Sequence, residues 1–222
     1  MTRMQTHYLF RAVVFDMDGT LVDSVGIKTW AFGKLYEKYG QDVVDAVVSY
    51  HLKHQGISRF EKFRHWQTEI LAEPYTKAVG ELLSQQFNHL VLDAIVRAPY
   101  IRGAQEFLEK YYERLPLFVA SATPEAELHE IVFRRGMKKY FQGVYGSPAS
   151  KGEIINRIST YNRWKPTEVL MVGDAASDCE GANNAGASFV AICEGEIPAF
   201  FDNVTRRLAD LTGLENIVYE PS

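Results

Sequence analysis

The chain has 222 residues, 46% of them hydrophobic, with a formal net charge of −4 and only two cysteines. That length and apolar content can bury one full core and a smaller appendage, while the acidic balance excludes the basic face that nucleic-acid binding needs. No run reaches the roughly 18 apolar residues of a membrane span, and the opening MTRMQTHYLFRA lacks the apolar centre of a secretion signal.

The first predicted element is the short apolar run from Ala12, which ends in Asp16, Met17, Asp18, Gly19 and Thr20. Side chains alternate along a strand, so Asp16 and Asp18 would share a direction at its carboxyl end. Two carboxylates this close repel, and one would hold a proton unless a cation lay between them. Mg²⁺ suits such a pair because it takes oxygen ligands and combines one or two carboxylates with phosphate oxygens. Gly19 permits a sharp turn whose amides could face an anion. Taken alone, the motif reads better as a strand ending in a solvated acidic turn, and only partner motifs later in the chain overturn that.

Between Ser24 and about Ala98 the spacing is helical. Phe32, Leu35, Tyr36 and Tyr39 keep it, as do Val44, Val47 and Val48, then Phe60 with Phe63, then Leu83, Phe87, Leu90, Val91 and Ala94. No strand-like alternation interrupts them, which predicts an all-helical insert over 24–97. Within it, HLKHQGISRFEKFRHW gathers His51, His54, Arg59, Lys62, Arg64 and His65. A guanidinium can grip a carboxylate or phosphate with two bonds, so Arg59 is a candidate clamp for a distal substrate anion. The alternative is a solvated helix face. The histidines lack HExxH order and are read as packed or surface groups. Lys28, early in the first of these helices, is read as a surface lysine in preference to a group near the site, and Trp30, Trp66 and Trp164 as packing residues.

From Leu117 onward strands and helices alternate, which predicts a doubly wound parallel sheet, α/β in class. Leu117–Ala120 leads into Ser121, with Thr123 the less favoured hydroxyl, and Pro124 suits the first turn of a helix. A hydroxyl at a strand end before a helix N-terminus suits a phosphate oxygen. Ser150 and Glu153 form a capping box, which puts Lys151 in a first helical turn. A cation is misplaced there on dipole grounds unless an anion is bound beside it. Val169–Gly173 is a buried-strand run followed by Asp174 and Asp178, and Ser177 with Glu180 has the spacing of a second capping box. Asn183 and Asn184 fit a polar helix face as readily as a role behind the site. Strand-end residues of this kind converge on one crevice in open α/β sheets.

With these motifs in this order the chain resembles the haloacid dehalogenase superfamily, in its phosphatase branch, across Val13–Ser24 and Leu117–Gly186. The resemblance implies that Asp16 is a nucleophile forming an aspartyl-phosphate and that Asp18 is the acid and then the base. It implies that Ser121 and Lys151 hold phosphoryl oxygens. Asp16, Asp174 and the backbone carbonyl of Asp18 would bind Mg²⁺, with Asp178 behind them, and Gly19 and Thr20 would form the loop around the phosphate. The insert resembles the family's helical cap, set on a core of residues 1–23 and 98–222, with hinges near Asp23–Ser24 and Pro99–Gly103. The expected partner is a small phosphorylated metabolite, with no nucleic acid, membrane or protein partner indicated. The expected setting is the cytoplasm, where Cys179 and Cys193 would be buried free thiols. A sugar-phosphate mutase would share this core, and a non-catalytic binding protein would have tolerated loss of its aspartates or lysine.

Overall fold

The computed structural model of the chain describes residues 7–220; the extreme ends of the expected core segments, residues 1–6 and 221–222, lie outside the described residues. After β1 (His7–Tyr8) and β2 (Ala12–Phe15) come four helices, α1 (Val25–Tyr36), α2 (Gln41–Lys53), α3 (Arg59–His65) and α4 (Lys77–Arg97). Alternation then begins with α5 (Ala104–Tyr111), β3 (Leu117–Pro124), α6 (Glu125–Arg134), β4 (Gly143–Ser147) and α7 (Lys151–Asn162). It continues through β5 (Val169–Gly173), α8 (Ala176–Ala185), β6 (Ser188–Ile192), β7 (Arg207–Leu208), α9 (Glu215–Val218) and β8 (Tyr219–Glu220).

Six strands form one parallel sheet in the order β4-β3-β2-β5-β6-β7, and β1 pairs antiparallel with β8 apart from it. The doubly wound α/β architecture expected from the sequence is the one found. Its burial follows the strand period. Val13, Phe15, Leu117, Val119, Leu170 and Val172 pack in one cluster with Phe107, Leu108, Leu128 and Ile131 of α5 and α6. Their alternates Ala12, Val14, Phe118, Ala120, Val169 and Met171 pack on the other face against Ile154, Ile155 and Ile158 of α7 and Ala182 of α8. The chain runs from β2 through β3 to β4 on one side, then returns to β5 on the other side of β2. The crevice between the two directions opens at the carboxyl ends of β2, β3 and β5.

Between β2 and α5 every named element among the described residues is a helix, joined by short irregular connections. Phe32 stacks on Phe87 with ring centroids 4.1 Å apart, and the edges of Phe63 and Trp66 meet them. This aromatic nucleus is continuous with the α5–α6 side of the sheet core. The two crossings into the insert run side by side: Asp23 N donates to Pro99 O at 3.0 Å and Ile101 N donates to Leu21 O at 3.0 Å.

Several local expectations change. Trp30 is 56% exposed rather than packed, because α1 turns it away from the face that carries Phe32 and Tyr36. The two thiols are free but only half-buried, against the small Phe201 cluster. The box at Ser150 and Glu153 forms as expected. At α8 the cap contact comes from Asp178, whose Oδ2 accepts from Ala175 N at 2.9 Å, and not from Ser177 and Glu180. The register differs because β5 ends at Gly173 and the helix begins at Ala176, which makes Asp178 its third residue. Pro124 closes β3 instead of lying inside α6.

Candidate active site

The buried run of β2 ends in Asp16, which is 4% exposed and sits in the crevice. Its Oδ1 accepts from Met17 N at 2.7 Å and its Oδ2 from Lys151 Nζ at 2.9 Å. The capping box puts Lys151 at the first position of α7, and its ammonium also donates to Asp178. Asp174 follows β5, and its Oδ1 accepts from Thr20 Oγ1 at 2.8 Å. Carboxylate oxygens of Asp16, Asp174 and Asp178 come within 4.8 Å of one another. Three residues from opposite ends of the chain thus form a set of oxygens suited to one hard cation.

The electrostatics fit that reading. Burial, with the nearby Asp178 and Asp18, pushes Asp16 up to about 7 even though Lys151 pulls the other way. Burial, with the nearby Asp16 and Asp178, raises Asp174 well above the usual carboxylate range. Carboxyls crowded like this keep protons unless a cation replaces them. Burial would lower Lys151, but Asp16 and Asp178 overcome it and hold the ammonium charged.

Asp18 behaves differently. Burial would raise it, yet the Lys28 ammonium holds it below its ordinary value, with hydrogen bonds from Ser24 and Thr123. Ser24 Oγ donates at 2.6 Å, Lys28 Nζ at 2.5 Å and Thr123 Oγ1 at 3.2 Å. The side chains of Asp16 and Asp18 therefore have separate partners, and the carboxylate grouped with Asp16 and Asp174 is that of Asp178. Lys28 is no surface lysine: its side chain is 14% exposed and also donates to Thr123 Oγ1 at 2.9 Å.

Asp16, Asp18 and Asp174 line a cavity of about 60 Å³, together with Lys28, Thr123 and residues of the insert. Ser121 and Lys151 line a neighbouring hollow of about 200 Å³, which Ala122, Gly56 and Ile57 separate from the first. Ser121 Oγ accepts from Thr123 N at 3.1 Å. The strand-end hydroxyl nearest Asp18 is therefore that of Thr123.

Gly19 and Thr20 support the site from behind. Gly19 has φ +80°, and a Cβ there would fall within the Asp174 carboxylate, so only glycine lets the loop approach that closely. Its amide donates to Val22 O at 2.8 Å, so the anion-facing role expected of it goes to no anion. Thr20 is fully buried and positions Asp174. Arg59 likewise has another partner than the expected substrate anion. Both terminal nitrogens of its guanidinium bond Glu127 of α6, at 2.8 and 2.7 Å, and its plane lies 4.5 Å over the Phe87 ring. The Arg59 and Glu127 side chains are 4% and 6% exposed, and they tie the insert to the core. Gly56, with φ +77°, closes the same seam, since a Cβ there would strike Ser177 and Ala175.

The family model described as haloacid dehalogenase-like hydrolase matches residues 13–192, most of the chain. The chain belongs to this family. Over 188 residues it is 27% identical to a phosphorylated carbohydrates phosphatase of Thermotoga maritima, covering 79% of this chain and 81% of that one. It is 24% identical over 193 residues to a phosphoglycolate phosphatase of Synechococcus elongatus, with 83% and 84% covered. In fold it is similar to the crystal structure of "a predicted phosphoglycolate phosphatase" from Haemophilus somnus 129PT, with a TM-score of 0.74, 19% identity, and 94% and 98% covered. As a haloacid dehalogenase-like hydrolase it is an enzyme. Among its described residues no helix is long and apolar enough to cross a membrane.

The residues that the sequence ranked below the named site residues are Lys28, Thr123, His51 and Lys62, all of which line the cavity. Lys28 carried one usable signal: it lies four residues after Ser24, one helical turn beyond the motif, with its amide bonded to Ser24 O.

Proposed function

We propose that this chain hydrolyses a small phosphate monoester, with Mg²⁺ held at the aspartate cluster and an aspartyl-phosphate formed on Asp16. One observation carries the reading: strand-end carboxylates 158 residues apart in sequence, Asp16 and Asp174, converge with Asp178 within 4.8 Å beside buried Lys151. The relatives named as phosphatases of phosphoglycolate and of phosphorylated carbohydrates support a phosphate ester as substrate.

Asp16, Asp174 and the main-chain carbonyl of Asp18 would hold Mg²⁺, with Asp178 fastened behind them by Lys151 and the Ala175 amide. Bound there, the ion would neutralise the crowded carboxylates and polarise a phosphoryl oxygen. In the first half, an Asp16 oxygen bonds to phosphorus, the ester P–O bond breaks, and Asp18 gives its proton to the leaving oxygen. Lys28 holds Asp18 below its ordinary value, which favours the carboxylate that the second half needs as base. In the second half, Asp18 takes a proton from a water that attacks phosphorus. The bond to Asp16 breaks, and orthophosphate leaves. Lys151 and the hydroxyls of Ser121 and Thr123 would meet the phosphoryl oxygens.

The insert, residues 24–97, would act as a cap on the core of 1–23 and 98–222, hinged at the paired crossings near Asp23 and Pro99. Closed by Gly56 and by the Arg59–Glu127 pair, it excludes water from the reacting phosphorus. The free thiols fit a reducing cytoplasm.

The test is a panel of phosphate esters with Mg²⁺: p-nitrophenyl phosphate, phosphoglycolate and hexose phosphates, read by orthophosphate release. Turnover by the wild-type protein and none by Asp16→Asn is expected. Isomer formation without orthophosphate would make the chain a mutase, and an active Asp16→Asn would remove the nucleophile assignment.

A further inference from the structure

Three cations of the insert line the cavity: Lys28, Arg59 and Lys62. Two of them are already neutralised, Lys28 by Asp18 and Arg59 by Glu127. Lys62 forms no ion pair among the described residues, although it is only 3% exposed. Its Nζ lies 2.8 Å from His51 Nδ1 and 5.5 Å from the centroid of the Phe32 ring. His51 is 4% exposed, and its Nε2 is buried without a hydrogen-bond partner.

Burying an ammonium with no counter-charge is costly, and an aromatic face offsets only part of that cost. Burial, with Lys28 nearby, brings Lys62 down to about 7. Burial and Lys62 bring His51 down to about 3, so the imidazole is neutral at any ordinary pH. An ammonium donating to Nδ1 leaves the proton of the neutral ring on Nε2. When Lys62 is protonated, the pair places one positive charge and a neutral imidazole on the insert's wall of a cavity whose core wall carries Asp16, Asp18 and Asp174.

We propose that Lys62, positioned by His51, determines specificity by receiving a second anionic group, carboxylate or phosphate, at the end of the substrate away from the reacting phosphoryl group. This rests on the phosphatase reading and adds the substrate class to it. A cavity of about 60 Å³ favours a short chain between the two anions over a sugar ring. Arg59, whose guanidinium is closed on Glu127, keeps the insert seated while Lys62 reads the ligand.

The experiment compares three two-carbon esters, ethyl phosphate, phosphoglycolate and ethanediol bisphosphate, in wild type, Lys62→Met and Lys62→Arg. Methionine fills the buried volume without the charge, so the variant is expected to fold. The wild type should prefer one of the dianionic-tail or carboxylate-tail esters over ethyl phosphate in kcat/KM, and which one it prefers identifies the anion. In Lys62→Met that preference should fall about 10- to 100-fold, mainly through KM, and Lys62→Arg should recover part of it. A purely structural lysine would depress all three esters alike, which would overturn the proposal, as would a wild type without preference. If the wild type hydrolyses no ester, the phosphatase reading fails separately. Calorimetry with 3-phosphonopropionate against propylphosphonate then decides the anion site, and equal binding of the two by the wild type would remove it.

Discussion

Replacing Arg59 with methionine tests whether the pair it forms with Glu127 joins the insert to the core or whether the arginine serves a substrate. The two side chains are 4% and 6% exposed, and two hydrogen bonds of 2.8 and 2.7 Å connect them. Removing one partner of so buried a pair leaves the other charge without compensation, which costs about 3–5 kcal/mol. In a chain of this size each kcal/mol lowers Tm by about 2–4 °C, so Arg59→Met should melt roughly 6–20 °C below wild type. Removing both charges should be far milder. Arg59→Met combined with Glu127→Leu puts apolar groups on both sides of the seam, and replacing a whole buried pair this way is often neutral or stabilising. The assay is a double-mutant cycle by urea unfolding and thermal melting, with orthophosphate release measured on the same samples. A single variant that melts within about 3 °C of wild type would refute the seam, as would a double variant no better than Arg59→Met.

Other outcomes follow from the same geometry. Lys28→Met removes the ammonium that holds Asp18 low, so the Asp18 pKa should rise; because Asp18 must carry a proton in the first half, the alkaline limb of the kcat/KM profile should move to higher pH. Chelator should abolish turnover and added Mg²⁺ should restore it, while Ca²⁺, with its longer bonds and looser geometry, should not. Because Asp16 and Asp174 hold protons at raised pKa values, Mg²⁺ must displace them, and its apparent affinity should weaken as pH falls from 8 to 6. Gly56→Ala places a methyl group against Ser177 and Ala175 at positive φ, so it should raise KM and increase protease sensitivity near the insert while leaving the core strands protected from hydrogen exchange.

What the sequence made legible were features carried by local rules. The four-residue run before Asp16 reads as a buried strand because every residue in it is apolar, and all four are buried on two different faces. Lys151 could be placed in a first turn because Ser150 and Glu153 form a capping box within three residues. What escaped depends on partners distant in the chain. Arg59 finds its carboxylate 68 residues away, on a helix of the core, and no pattern in GISRFEKF encodes that. Lys28 became a site residue only when α1 set it over Asp18 and Thr123. Thr20 and Gly19 lie in a recognisable loop, but their task is to hold Asp174, 154 residues on from Thr20. The pairing of Lys62 with His51 needs α2 and α3 to cross, and helical spacing leaves that crossing unspecified.

The most direct test of the account is a rapid-quench experiment on Asp18→Asn with p-nitrophenyl phosphate and Mg²⁺. Nitrophenolate leaves without needing a proton, so the variant should still form the bond from Asp16 to phosphorus but should lack the base that hydrolyses it. The account predicts a stoichiometric burst of nitrophenolate followed by a stall, with the phosphoryl group found on the peptide that contains Asp16. No burst and no phosphorylated peptide, from a folded variant of a wild-type protein that turns the ester over, would contradict it.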